Sequence, residues 1–118
     1  MLTFSKIAAQ GEITIRRVGG IKPVGKPLPL ENGKLIIGHS ETGHHHVLEH
    51  TRGATVTVLD KAPEGMRVLH MILTEANSLV HNRAHDTHEA IALEPGEYSV
   101  RVAREFDHYA ELARQSAD

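Results

Sequence analysis

The sequence predicts an all-β domain, a small antiparallel β-barrel or sandwich of jelly-roll type with about seven or eight short strands and a short C-terminal helix. Three observations carry that expectation. Alternating β-branched runs recur along the chain, turn residues separate them at regular intervals, and a length of 118 residues suits one hydrophobic core. The chain, 1–118, is therefore read as a single β domain, with 19–33 as a Pro/Gly-rich connection and 106–118 as the helix and tail.

Residues 12–18 alternate Ile13 and Ile15 against Thr14 and Arg16, the pattern of a strand with one buried face. Gly19-Gly20 ends it. Pro23, Pro27 and Pro29 then make 21–33 an extended surface connection, because proline removes ladder donors. Leu35-Ile36-Ile37 starts a second strand, Glu41-Thr42-Gly43 supplies a turn, and 44–50 returns as the other arm of a hairpin. Residues 54–59 alternate as a further strand. Met66 to Leu73 is apolar on both faces, and its flanking strands and Pro-Gly boundary favour strand over helix. Short extended runs follow at 78–81 and 88–93, and Glu94-Pro95-Gly96 is a tight turn. Tyr98, Val100 and Val102 alternate along a last strand with a partly basic outer face. Phe106, Tyr109, Ala110 and Leu112 then fall at helical spacing.

Composition excludes several classes. Cysteine is absent, so disulfides, thiolate nucleophiles, iron–sulfur clusters and Cys-type zinc fingers are ruled out. A formal charge of −2 and four Phe and Tyr residues offer neither a basic footprint nor a stacking platform, so nucleic acid is not an expected partner. No apolar run approaches membrane-spanning length, and the first ten residues lack a signal-peptide layout; a cytoplasmic location without a membrane partner is expected. Histidine is the anomaly, with 10 residues in 118. Protonating them all would invert the sign of the net charge.

Eight of those histidines fall between His39 and His50 or between His81 and His88. In a strand, His44, His46, Leu48 and His50 share one face while His45, Val47 and Glu49 take the other. A His-x-His pair on one face can close on a single ion. A four-residue loop sets His39 opposite His46, and a three-residue loop sets it opposite His45. Both bury an apolar pair, so hydrophobicity does not separate them. Crowded imidazoles need a shared ion or acceptors, which favours grouping His39 with His44 and His46.

The second cluster, His81 to Glu89, adds His81, His85, His88, Asp86 and Glu89 within one loop and its strand ends. A divalent transition metal, zinc, iron, manganese or nickel, is the expected cofactor, held by His39, His44, His46 and His88, with His81, His85 and Glu49 as the next choices. Glu41, Asp86 and Glu89 are the candidate general bases or supports of the imidazoles. An open position on such a metal would suit hydrolytic or oxygenase-type chemistry on a small anionic substrate. The competing expectation is a non-enzymatic, phage-related or self-associating homo-oligomer with a pH-sensitive, histidine-lined subunit interface.

The pattern is similar to that of cupin-like barrels, which hold a metal between a His-x-His plus Glu motif and a distant His. His44, His46 and Glu49 resemble the first motif, and His88 or His81 the second. The wider set, 39–46, 86–89 and 95–101 with Arg104-Glu105, resembles a family of small uncharacterised proteins of bacteria and phages. That resemblance implies that both histidine clusters belong to one site.

Two further features have bland readings. His70, among Val68, Leu69, Met71 and Ile72, is expected to be a satisfied core histidine. Arg16, Arg17, Arg101 and Arg104 form an anion-binding patch only if the first and last strands are neighbours. The favoured expectation is a solvated strand face balanced by Glu97 and Glu105.

Overall fold

The structure is a computed structural model that describes residues 7–10, 12–39, 45–81 and 90–103. Ten strands run in chain order: β1 (Ile7–Gln10), β2 (Ile13–Val18), β3 (Gly25–Pro27), β4 (Ile36–Gly38), β5 (His46–Leu48), β6 (Ala54–Leu59), β7 (Met66–Leu73), β8 (Asn77–His81), β9 (Ile91–Leu93) and β10 (Gly96–Ala103). They form two antiparallel sheets. The larger has the order β1-β2-β10-β7-β6-β3 and the smaller β4-β5-β8-β9. The all-β expectation holds, but the sheets do not close into a barrel and the strands outnumber the expected set. No helix is present among the described residues, and 106–118 lies outside them. No helix is long and apolar enough to cross a membrane among those residues.

The alternation read from the sequence builds the core. Ile13 and Ile15 of β2, Tyr98, Val100 and Val102 of β10, and Leu69, Met71 and Leu73 of β7 are buried on the inner face of the large sheet. Leu48, Leu79, Ile91 and Leu93 meet them from the small sheet. Burying one such side chain is worth about 1.5–3 kcal/mol, so the two sheets hold each other chiefly by this layer.

Two strands have no sequence signature. β1 contains Ala8 and Ala9 in place of a β-branched alternation, and it forms because Ile7 to Gln10 pair residue by residue with Arg16 to Ile13. β3 lies inside the Pro/Gly-rich connection, where Gly25 to Pro27 pair with Leu59 to Thr57. It sits at the sheet's edge, the position at which a proline costs no ladder bond. Gly25 is required there, because a Cβ would fall 1.9 Å from the Val58 carbonyl oxygen.

Candidate functional site

The small sheet brings the two histidine regions together. β5 pairs antiparallel with β8 so that His46 faces His81, Val47 faces Val80 and Leu48 faces Leu79. β4 ends at Gly38, β5 begins at His46, β8 ends at His81 and β9 begins at Ile91. Both histidine-bearing connections are therefore anchored at the same end of this sheet. His44, His85, His88, Glu41, Asp86 and Glu89 lie on those connections, outside the described residues.

His46 and His81 lie stacked, with ring centroids 4.4 Å apart and planes within 6° of parallel. Both are buried, 2% and 8% exposed. They share the inner face with Leu48 and Leu79, because alternate strand residues take the same side. A third polar residue, Gln10 of β1, reaches them from the large sheet and is itself buried.

The hydrogen bonds of Gln10 determine the tautomer of His46. The Leu79 carbonyl only accepts, so the amide nitrogen of Gln10 must be the atom that faces it, at 3.2 Å. Its Oε1 is then the atom 2.7 Å from His46 Nδ1 and only accepts. His46 Nδ1 therefore carries a proton, and in the neutral imidazole the lone pair is the one on Nε2. Metal-binding histidines are oriented in this way, by an acceptor on the nitrogen that does not bind the ion. Gly38 makes room for the arrangement: a Cβ there would lie 2.7 Å from Ile13 Cδ1 and 3.6 Å from His46 Cδ2.

The other histidines of the first cluster separate from this pair. Gly38, not His39, is the partner of His46, and an irregularity between Ile36 and Gly38 shifts the register so that Ile36 faces Val47. The expected alignment of His39 with His46 is thus replaced. His39 instead meets the edge of the His45 ring, centroids 5.1 Å apart, and its Nε2 lies 2.6 Å from the Glu31 carboxylate. β5 covers only three residues rather than the expected return arm of 44–50. Glu49 follows the strand, exposed, with its backbone N–H donating to the Ser78 carbonyl. His50 sits at the opposite end of the short strand. Its Nε2–H donates to the Ala76 carbonyl at 2.9 Å, and its own carbonyl accepts from Asn77 Nδ2 at 2.8 Å, which ties a turn.

Among the described residues no group of three or more His, Cys, Asp or Glu is placed to hold a metal ion. The described part supplies two imidazoles and a positioning amide. Gln10 was not recognisable in advance, because its partners stand 36 and 69 positions away. His81 had a signal as a strand-end histidine, but its pairing with His46 depends on a sheet order that no local pattern reveals.

On the outer face of the large sheet, His70 is buried as expected, yet its partner is an acid. Its Nε2 lies 2.8 Å from Glu97 Oε2, and the same carboxylate oxygen accepts from the Ile21 backbone N–H at 3.1 Å. These bonds, the His70 one first, hold the Glu97 carboxyl below its ordinary value. Glu97 is therefore occupied by His70 and Ile21 rather than by the arginines it was expected to balance.

Comparison with the curated proteins and with the solved structures finds no match for this chain. A family profile covers most of it, residues 9–103, from the middle of β1 to the end of β10. The chain belongs to the family described as Domain of unknown function (DUF8820).

Proposed function

We propose that the protein binds a divalent transition metal at the histidine end of the small sheet, with His46 and His81 as its buried ligands. The observation that carries this is the Gln10-fixed tautomer of His46, which places the lone pair on Nε2 beside a second buried imidazole. Further ligands come from the connections anchored at this end, which carry His44, His85 and His88. Imidazole and carboxylate donors suit zinc, iron, manganese or nickel. His39 has a lesser part, since Glu31 and His45 already engage its ring.

Ligand lone pairs lie in the ring plane, and metal–nitrogen bonds are about 2.0–2.1 Å long for zinc. Two rings stacked face to face cannot both point at one ion. Metal binding therefore tilts the pair out of its stack, and the ultraviolet and NMR signals of both imidazoles change together.

Metal content of untagged protein, measured after exposure to zinc and desalting, tests the proposal. His46→Ala with His81→Ala should abolish stoichiometric binding. Gln10→Ala should weaken it by about 10- to 100-fold, the usual effect of losing a ligand's supporting hydrogen bond. Unchanged zinc content in the double variant, with its fold intact by circular dichroism, overturns the site.

A further inference from the structure

The strand order satisfies the condition for an arginine patch, because β2 and β10 are neighbours. Arg16 faces Ser99, and Thr14 faces Arg101. The two arginines are thus diagonal neighbours, a separation that long side chains span easily. All four residues line one groove of about 470 Å³ on the outer face of the large sheet. Ile13 and Ile15 point the other way, into the core, so the sheet itself separates this groove from the histidine pair.

The chemistry changes along the groove. Guanidiniums and hydroxyls occupy the middle, where Thr14, Arg16, Ser99 and Arg101 lie. Val18 and Ile21 make one end apolar, and Met66 lies at the other beside Glu12. Among the described residues, no carboxylate forms an ion pair with Arg16 or Arg101: Glu94 is taken by Arg17, Glu97 by His70 and Ile21, and Glu12, in the same groove, makes none. Two like charges set diagonally with no ion-paired carboxylate repel each other. An anion between them relieves that repulsion and accepts from both forks.

We propose that this groove binds a small organic phosphate, its phosphoryl oxygens between Arg16 and Arg101 and its apolar body against Val18 and Ile21. The volume lies within the range of small-molecule sites and exceeds what a bare phosphate ion fills. Donors from two strands, two forked cations and two hydroxyls suit a tetrahedral oxyanion better than a planar carboxylate. The groove does not depend on the metal site, and chelator leaves it unaffected.

Phenyl phosphate is the probe, followed by thermal unfolding and by ¹H–¹⁵N NMR of the full chain at constant ionic strength. The melting temperature should rise with probe concentration, and the amides of Thr14, Arg16, Ser99 and Arg101 should shift. Arg16→Gln and Arg101→Gln should each weaken binding by tenfold or more, the scale of losing a hydrogen bond to a charged group. Both residues are exposed, so the variants keep the fold. Arg17→Gln, on the same strand but directed to Glu94 and Tyr98, should bind as the parent does. Arg16→Lys and Arg101→Lys should each retain more of the affinity than the glutamine variants do. Equal stabilisation by sodium chloride, or undiminished binding by the Arg16→Gln, Arg101→Gln double variant, overturns the proposal.

Discussion

The histidine end of the small sheet and the arginine groove of the large one use polar residues in opposite ways. His46, His81 and Gln10 point into the sandwich, where each polar atom bonded to another is held in one geometry by burial. Arg16 and Arg101 point out from it, exposed and without an acidic partner among the described residues. The inward set contributes to the stability of the fold, because an unmade hydrogen bond there cannot be replaced by water. The outward set contributes nothing comparable and has its hydrogen-bonding capacity open to solvent. Stability and binding measurements should therefore respond to the two regions in opposite order.

The largest effect is expected from Gln10→Leu. It strands the His46 Nδ1–H and removes a donor from the Leu79 carbonyl in the interior and should cost about 2–6 kcal/mol in urea unfolding, at about 1–3 kcal/mol for each of the two groups. A loss no greater than that of an ordinary surface substitution would show that the inward set does not support the fold. Tyr98→Phe should cost about 1 kcal/mol by the same measurement, since it removes one buried hydroxyl that donates to the Glu94 carbonyl.

Glu97 is intermediate between the two regions, on the outer face yet fully engaged. Its folded pKa is lowered, so the stability it confers is present above the ordinary value of 4.5 and is lost as pH falls through the lowered value. Acid unfolding of the parent should show this extra dependence, and Glu97→Gln should remove it. The smallest effect is expected at the groove. Arg16→Gln and Arg101→Gln, in dilute buffer without phosphate, should each change stability by no more than about 0.5 kcal/mol.

The same division governs what the sequence reveals. Ile13 and Ile15, Tyr98 to Val102, 54–59 and 66–73 declared their strands through period-two burial, a local property. β1 and β3 did not, because pairing with a neighbour, not their own residues, makes them strands. The resemblance implied that both histidine clusters belong to one site; β5 and β8 bring His46 and His81 together, and His44, His85 and His88 lie outside the described residues. It chose the wrong companion for His46 within the hairpin, since the irregularity between Ile36 and Gly38 inserts a residue that no turn rule anticipates. The arginine patch was legible up to its condition, and only the sheet order could meet that condition.

Gln10 also has a consequence in time. Its amide must find the Leu79 carbonyl across 69 positions of chain, and Thr14 must find Arg101 across a longer span still. Contacts of such range dominate slow-folding β topologies, because loop closure precedes any reward. A nascent chain that has emerged only as far as β7 contains β1 and His46 but neither the carbonyl that orients Gln10 nor the strand that completes the groove. The two arrangements therefore form late and in sequence, the histidine pair once β8 has left the ribosome and the groove once β10 has.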